Sequence, residues 1–341
     1  VNSVSVYANT TDSIARHTRM TANIHALSLI SDVILIQEPH LHQDDTDAFS
    51  SILPDWLSFY SNKSNGYAGA VTLISPKFMH NYVASVPHIH PSSSGHILPV
   101  LLLPRAMGDH SILLLNLYLA TGAGHAARLT AQLASATALA PASYNFAGGD
   151  LNFVEDEADT TGTSPHSLPA HSTAEWERFL SHFSLKEAAQ PMHTHFHISS
   201  TLTCSRSARL DRIYHSFSEA DLSLYQPLSY LPSIPFSVLT AYRSLDISEQ
   251  SAARAADSKT QHLLRRSLSA SDHLPVTLSF VDLAPSSGER RVSLSLQPPF
   301  VSQSSSVFFA PPGNPAPQHQ PLMRALASPL LSTQQLKLQR Y

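Results

Sequence analysis

Apolar residues recur along the chain at helical spacing in some segments and in short, strand-like runs in others. Met20, Ile24 and Leu27 share one helical face, and Thr11 or Asp12 could cap the start of that helix. Two further helices are predicted around residues 129–136 and 173–182. The apolar runs predict strands at residues 4–8, 33–37, 57–60, 68–74, 82–86, 97–103, 112–118, 143–147, 194–198, 210–216 and 274–280.

Two polar side chains directly follow the first two predicted strands. Strand 4–8, the first helix and strand 33–37 form a βαβ unit, which places Asn9 and Glu38 at the C-terminal ends of its strands. Ligand sites of open α/β sheets usually lie at such ends. Because the strands are many and short while the helices are few, we expect an α/β (α+β) fold in which two sheets pack together with helices outside.

The composition changes after residue 282. From residue 283 onward the chain is rich in Ser, Pro and Gln, and segments such as "APPGNPAPQHQP" offer too little apolar surface to offset the entropy of ordering them. The sequence therefore predicts one folded domain over residues 1–282 and a flexible C-terminal linker over residues 283–341, in which residues 322–336 could form a short helix.

Composition and charge narrow the class of protein. A chain of 341 residues with 43% hydrophobic content can bury a sizeable core. The net charge of −4 lacks the basic surplus of a tight nucleic-acid binder, although metal ions at a carboxylate site would add positive charge locally. The single cysteine, Cys204, excludes an internal disulfide framework and favours an intracellular location. No apolar run is long enough to span a membrane, and a start at Val1 suggests a fragment of a longer reading frame.

Five strings place acidic, amide or imidazole side chains at the ends of predicted strands. Any one of them alone is more often the solvated start of a loop than a site. They are "VILIQEPHL" with Glu38, "LLLNLYLATG" with Asn116 and Tyr118, "NFAGGDLNFV" with Asp150 and Asn152, "SARLDRIYHS" with Asp211, and "SASDHLPVTLSF" with Asp272 and His273.

In this order, the strings resemble the endonuclease/exonuclease/phosphatase superfamily over residues 3–280. The apurinic-type branch is most similar, especially the endonuclease domains of non-LTR retrotransposons. The spacing from Asn9 through "ARHTR" to "IQEPHL" and the string "GYAGAVTLIS" both resemble those domains. The resemblance implies a four-layer α/β/β/α sandwich of two packed mixed sheets flanked by helices, with the site at one end of the sheets.

The resemblance also implies a divalent metal, Mg²⁺ or Mn²⁺, held by Glu38 with help from Asn9 and Asp272. Oxygen ligands suit such hard cations, which keep several waters and need only one or two carboxylates. The string around Asn9 lacks the second Asn and the Gly that are frequent in the family. Pro39 stands where Thr or Ser is frequent and would restrict Glu38 to an extended backbone.

The other residues of the strings take catalytic roles by the same resemblance. Asp150 would orient and deprotonate the attacking water, and Gly148 and Gly149 before it would let the backbone turn tightly beside the substrate. Asp211 would fix the tautomer of His273, whose other ring nitrogen would hold the phosphate. Asn152 and Tyr118 would contact the phosphate, and Asn116 and Arg209 are expected to bind the substrate.

Two further segments allow more than one interpretation. Residues 231–269 contain several basic side chains and form either a DNA-contacting insertion or a solvated helix. His193, His195 and His197 would share one face of a strand and could bind a transition metal, but in a chain with 20 histidines they are more simply ordinary strand residues.

The resulting expectation is a metal-dependent phosphodiesterase, specifically a Mg²⁺-dependent endonuclease that hydrolyses DNA. It would be the target-nicking domain of a retrotransposon polyprotein, with a reverse transcriptase domain in the same chain, no membrane contact, and action in the nucleus. Two alternatives stay open, namely a phosphatase or phosphodiesterase acting on a small phosphorylated substrate and a catalytically decayed nucleic-acid-binding module.

Overall fold

The computed structural model describes residues 11–39, 50–62, 69–120, 126–161, 168, 170–190, 192–198, 204–235, 273–282 and 335–340. The helices are α1 (Thr11–Ser28), α2 (Pro76–Met79), α3 (Ala126–Ala136), α4 (Ala170–His182) and α5 (Glu219–Leu224). The strands are β1 (Val33–Gln37), β2 (Leu57–Asn62), β3 (Gly69–Ile74), β4 (Tyr82–Ser85), β5 (Ile97–Pro104), β6 (Ile112–Tyr118), β7 (Tyr144–Asp150), β8 (Lys186–Glu187), β9 (His195–Ile198), β10 (Cys204–Ala208), β11 (Asp211–His215), β12 (Tyr225–Tyr230), β13 (Val276–Asp282) and β14 (Gln335–Arg340).

Within these residues the strands form two six-stranded mixed sheets and a separate β-ribbon. The first sheet has the order β12-β13-β14-β1-β3-β2, and the second has the order β4-β5-β6-β7-β11-β8. Each sheet contains one parallel pair, β1 with β14 and β6 with β7, and its other neighbours are antiparallel. Strands β9 and β10 pair with each other and make the ribbon.

The two sheets pack face to face, and helices cover their outer surfaces. In β1, Val33 and Leu35 belong to the core between the sheets, whereas Ile34 and Ile36 pack with α1. This alternation follows from the two-residue period of a strand that is buried on both faces. On the other side, α3 and α4 pack against the outer face of β6, through an apolar cluster that includes Leu133 and Trp176. The result is the predicted α/β/β/α sandwich.

Most of the elements predicted from the apolar pattern are present in the structure. The helices at α1, α3 and α4 and the strands from β1 to β7 lie within a few residues of the predicted positions, as do β9, β11 and β13. The short strand β8, the ribbon strand β10, helix α5 and the edge strand β12 were not predicted. The predicted strand 4–8 and the segment 236–269 lie outside the described residues.

The C-terminal segment departs from the predicted linker. Residues 335–340 form β14, which pairs in parallel with β1 and antiparallel with β13. The flexible linker predicted from residue 283 is therefore wrong for these residues, as is the helix predicted to reach residue 336. The physical reason is the alternation of Leu336, Lys337 and Leu338, a strand pattern too short to stand out beside the Pro-rich segment before it. Residues 283–334 lie outside the described part of the chain.

None of the described helices is both long enough and apolar enough to cross a membrane.

Burial of His215 on β11 makes the fold sensitive to acid. Burial, together with the nearby charge of Lys186, lowers the pKa of His215 to about 4, and its Nδ1 accepts a hydrogen bond from the Phe217 backbone N–H (3.3 Å). Between pH 6.5 and about 4 the unfolded chain therefore binds a proton that the folded chain does not. The free energy of unfolding should consequently fall by about 1 kcal/mol per pH unit over this window as the pH decreases.

The measurement is urea denaturation of the wild type and of His215→Gln at several values of pH. The glutamine offers an acceptor but does not titrate, so we expect its free energy of unfolding to fall less steeply than that of the wild type. Equal slopes for the two proteins would contradict the assignment to His215.

Candidate active site

Three of the predicted side chains lie level with one another on adjacent strands of the second sheet. Tyr118 on β6 pairs in register with Asp150 on β7, and Asp150 pairs in register with Asp211 on β11. Because residues in register on neighbouring strands lie side by side, the three positions form a row across the end of this sheet. The Asp150 and Asp211 side chains are buried.

Glu38 approaches this row from the first sheet. It directly follows β1, is buried, and accepts a hydrogen bond from the hydroxyl of Tyr118. Its φ is +50°, in the left-handed region, so the extended backbone expected from Pro39 is wrong. The Glu38 N–H donates to the Gly69 carbonyl at 3.0 Å and thereby continues the β1/β3 ladder by one residue. The surrounding contacts therefore hold a conformation that few residues other than glycine adopt.

His273 makes the second contact between the sheets. It lies before β13 in the first sheet, and its Nδ1 is 2.6 Å from Asp211 Oδ2 in the second, with both side chains buried. Thr194 supports the pair on both sides, because its hydroxyl accepts the Asp211 N–H (3.1 Å) and its carbonyl accepts the Leu274 N–H (2.7 Å). The Asp211 contact orients the imidazole ring.

A group of three side chains could hold a metal ion. Ligand atoms of Asp150, Asp211 and His273 all lie within 4.8 Å of one another, and all three residues are buried. Two buried carboxylates this close repel each other unless a cation or a proton lies between them. Carboxylate oxygens and an imidazole nitrogen are both donors that a divalent metal ion can accept.

This group differs from the metal set predicted from the sequence. Of the predicted ligands, Glu38 lies at the same rim in contact with Tyr118 and is not one of the three grouped residues. Asn9 and Asp272 lie outside the described residues. The structure thus offers Asp150, Asp211 and His273 as a ligand group in addition to the predicted Glu38.

Asn152 also has a left-handed backbone, with φ of +58°. Its N–H donates to Asp150 Oδ1 at 3.1 Å, and its side-chain amide donates to the Leu119 carbonyl at 3.1 Å. The turn after β7 therefore fixes the Asp150 carboxylate and the Asn152 amide in one rigid unit. Strain at such positions is common where a side chain must be aimed at a ligand.

Gly149 serves a different purpose from the one expected. It lies within β7, and a Cβ atom placed on it would come within 1.7 Å of the Leu117 carbonyl oxygen. Glycine is therefore required by the close approach of β6 and β7. The tight turn beside the substrate that we expected from Gly148 and Gly149 is wrong, because both residues lie within β7.

Asn116 lies beneath the site and is fully buried. Its side-chain amide donates to the Val71 carbonyl at 2.8 Å and to the Ile36 carbonyl at 3.2 Å, and its Oδ1 accepts from Gln37 at 2.7 Å. These bonds join β6 to β1 and β3 across the gap between the sheets. In the structure Asn116 ties together the two sheets that carry the site. The substrate contact expected of it stays a prediction.

Arg209 is held by acidic side chains of the protein itself. Its guanidinium contacts Asp159 at 2.6 Å and Glu187 at 2.7 Å, and the neighbouring, fully buried Arg212 shares both partners. Burial alone would raise the pKa of Asp159, but the Asp156 N–H and the two arginines lower it below its usual value. A substrate contact by Arg209 would require these ion pairs to be exchanged.

The structure places three residues at the site to which the sequence assigned no role there. The imidazole of His96 stacks on the Tyr118 ring, with centroids 5.6 Å apart and planes at 10°. The His195 ring lies 4.6 Å from that of His273, and Thr194 supports Asp211. Only the pairing of the strands reveals that His96 and His195 lie at the site. His96 precedes β5 and lies opposite Tyr118, and His195 forms a β-bridge with His273.

Among the side chains that the structure describes, neither His193 nor His195 belongs to a group of metal ligands. His193 uses both ring nitrogens within the protein, with Nδ1 2.7 Å from the Ser207 hydroxyl and Nε2 3.1 Å from the Ala158 carbonyl.

Solved structures with a similar fold share little sequence identity with this chain. The AP endonuclease LMAP from Leishmania major has a TM-score of 0.52 and 14% identity, covering 80% of this chain and 84% of that one. A 3′ phosphatase from Neisseria, NExo, solved with a product DNA hairpin, has a TM-score of 0.50 and 17% identity, covering 76% and 93%. The endonuclease domain of TRAS1, a telomere-specific non-LTR retrotransposon, has a TM-score of 0.45 and 15% identity, covering 79% and 93%.

By sequence, no family description and no curated protein matches the chain. At these identities, likeness to the first two structures shows the fold and leaves the activity to be argued from the site. The two packed sheets, the outer helices and the order of the strings agree with that fold. The chain therefore has the endonuclease/exonuclease/phosphatase fold that its sequence motifs predicted.

Proposed function

We propose that the protein is a metal-dependent phosphodiesterase, specifically a Mg²⁺-dependent endonuclease that hydrolyses DNA. The observation that carries the proposal is the convergence of Asp150, Asp211 and His273, with ligand atoms within 4.8 Å of one another, at the rim where Tyr118 contacts Glu38. Carboxylates, an imidazole and a phenol at one rim provide a base, oriented donors and metal ligands for phosphoryl chemistry.

In this proposal each side chain has a defined task. Asp150 accepts the proton of the attacking water and orients it, because its carboxylate is fixed by the Asn152 N–H. His273, oriented by Asp211, donates from its other ring nitrogen to a phosphate oxygen. Tyr118 and the amide of Asn152 contact the same phosphate and stabilise charge on its oxygens.

The metal would be held by Glu38, with Asn9 and Asp272 as further proposed ligands, beside the carboxylates of Asp150 and Asp211. When bound, a divalent cation of this kind supplies charge stabilisation to the phosphate and the leaving oxygen. The buried carboxylates fit such a cation because they would otherwise repel one another.

The biological setting is part of the proposal and rests on the sequence strings. Their order and spacing resemble non-LTR retrotransposon endonuclease domains, so the protein would nick a target DNA in the nucleus to prime reverse transcription. A reverse transcriptase domain in the same polyprotein is the proposed partner. Arg209 and Arg212 are both ion-paired with carboxylates of the protein, so neither charge is available to a DNA phosphate. We therefore expect binding to DNA to be weak without the metal.

The test is incubation of the purified protein with supercoiled plasmid and Mg²⁺, followed by gel separation of nicked and closed forms. Nicking that is abolished by EDTA and restored by added Mg²⁺ is the expected result. Turnover of small phosphate esters without nicking would replace the proposal by a phosphatase of the same fold. No turnover of either substrate, together with no heat of Mg²⁺ binding in calorimetry, would indicate a decayed binding module.

A further inference from the structure

His96 contacts Tyr118 in more than one way. It lies directly before β5 and is buried, and the Tyr118 N–H donates to its carbonyl at 2.6 Å. The two rings are stacked with nearly parallel planes. In addition, His96 Nδ1 lies 2.8 Å from the Tyr118 carbonyl. Since a carbonyl only accepts, Nδ1 must carry the proton of this hydrogen bond.

The ring nitrogen takes the place of a backbone donor. Two residues that form a hydrogen-bonded pair in an antiparallel ladder exchange two N–H···O bonds, and the bond from the Tyr118 N–H to the His96 carbonyl is one of them. The N–H of His96 is used by the short turn before β5, where it donates to the Ser93 carbonyl at 3.0 Å. The Tyr118 carbonyl therefore receives its hydrogen bond from the His96 side chain, and the same ring packs on the phenol.

We propose that His96 is a positioning residue that holds the Tyr118 hydroxyl against Glu38. The proposal rests on the proposed function, in which Tyr118 and Glu38 act on phosphate and metal. One imidazole fixes both the backbone carbonyl and the ring plane of Tyr118, so it determines where the hydroxyl at the far end of the ring lies. A displacement of a reactive group by about 1 Å can lower a rate by about 100-fold. A residue that fixes the position of the Tyr118 hydroxyl can therefore have a large effect on the rate.

The two contacts can be separated by substitution. His96→Asn retains an N–H donor for the Tyr118 carbonyl but loses the stacked ring, whereas His96→Phe retains the ring and loses the donor. His96→Ala removes both. His182→Ala is the matched control. His182 is the last residue of α4, its ring also bonds a backbone carbonyl (Leu139, 2.8 Å), and the ring also packs on an aromatic side chain, that of Phe183.

Steady-state nicking of the full chain should show a loss in kcat with little change in KM. We expect His96→Ala to lower kcat by about 10- to 100-fold and the Asn and Phe variants to lower it less. In a Tyr118→Phe background, His96→Ala should lower kcat no further, since the positioned hydroxyl is already gone. An equal further loss in that background, or an unchanged kcat in all three variants, would overturn the proposal.

A second readout does not depend on catalysis. In protein labelled with ¹³C at the tyrosine ring carbon bearing the hydroxyl, the Tyr118 resonance is identified as the one missing from Tyr118→Phe. We expect it to shift or broaden in His96→Ala and to stay in place in His182→Ala. An unmoved resonance in His96→Ala would contradict the positioning role even if the wild type proved to have no nuclease activity, so the two failures remain distinguishable. If His96→Ala does not fold, the Asn and Phe variants carry both measurements.

Discussion

Asp150→Asn is expected to lower the rate of plasmid nicking by about 10²- to 10⁴-fold, the usual contribution of a general base. Asparagine has the same shape as aspartate, and its carbonyl oxygen can still accept the Asn152 N–H that now donates to Asp150 Oδ1 (3.1 Å). The buried position is therefore filled without a cavity, while the ability to accept a proton is lost. The substitution also removes one of two close carboxylates, so the melting temperature should stay the same or rise.

The control is Asp55→Asn, which makes the same chemical change at an exposed position before β2. It should nick plasmid at the wild-type rate. Rates are compared over a range of Mg²⁺ concentrations, because a loss caused only by weaker metal binding would be recovered at high Mg²⁺. Full recovery, or a loss smaller than about tenfold, would remove Asp150 from the role of base.

Asp211→Ala and His273→Ala are each expected to lower nicking by about 10²- to 10³-fold, the scale found when a donor to a developing oxyanion is removed. The two side chains are joined by a 2.6 Å contact between buried atoms, and Asp211 acts in the proposed chemistry through the orientation of His273. The double variant should therefore be no slower than the slower single variant, because groups that act as a unit are not additive.

This double-mutant cycle also checks whether the pair is part of the chemistry or only of the fold. Asp211→Asn retains a hydrogen-bond acceptor for His273 Nδ1 and should recover part of the rate lost in Asp211→Ala. Unfolding free energies are measured alongside the rates for the wild type, the two alanine variants, the double variant and Asp211→Asn. Rate losses that multiply in the double variant would show that the two residues act separately and would refute the pairing.

The parts of the fold predicted from sequence are those with local, repeated signals. Val276, Leu278 and Phe280 alternate with polar residues, and all three are buried in the core between the sheets. Helix α1 was predicted from Met20, Ile24 and Leu27, which are likewise buried. Strand β12 was missed because Pro227 interrupts it, and proline is tolerated there because the strand lies at the sheet edge.

The site was predicted as a set of residues, while its internal geometry was not. Asn116 and Tyr118 are two residues apart, so they face the same side of β6. Asn116 lies about 7 Å before Tyr118 along the strand, away from the rim. That step places it between the sheets, where it bonds Gln37, and no local pattern in the string distinguishes the deeper residue from the one at the rim. The roles of these residues were inferred from a family resemblance. Such a resemblance identifies the residues of a site but does not show how deeply each of them is buried.

Long-range pairing explains the other omissions. The partners of Arg209 and Arg212 include Asp159, which lies 50 or more residues earlier in the chain. The stacking of His96 on Tyr118 depends on how β5 pairs with β6. Such contacts follow from the register of strands, which is set by the whole sheet, and sequence periodicity alone does not reveal them.

The left-handed backbone at Glu38 and Asn152 has a consequence for any effort to make this protein more thermostable. A non-glycine residue in that conformation typically costs about 1–3 kcal/mol, so glycine at either position would relieve strain and raise the melting temperature. Directed evolution that selects for heat resistance alone would therefore favour removing the Glu38 carboxylate and the Asn152 amide. In the proposed function, Glu38 would bind the metal and Asn152 would bind the phosphate. Substitutions that raise the thermal stability at these two positions would therefore lower the activity.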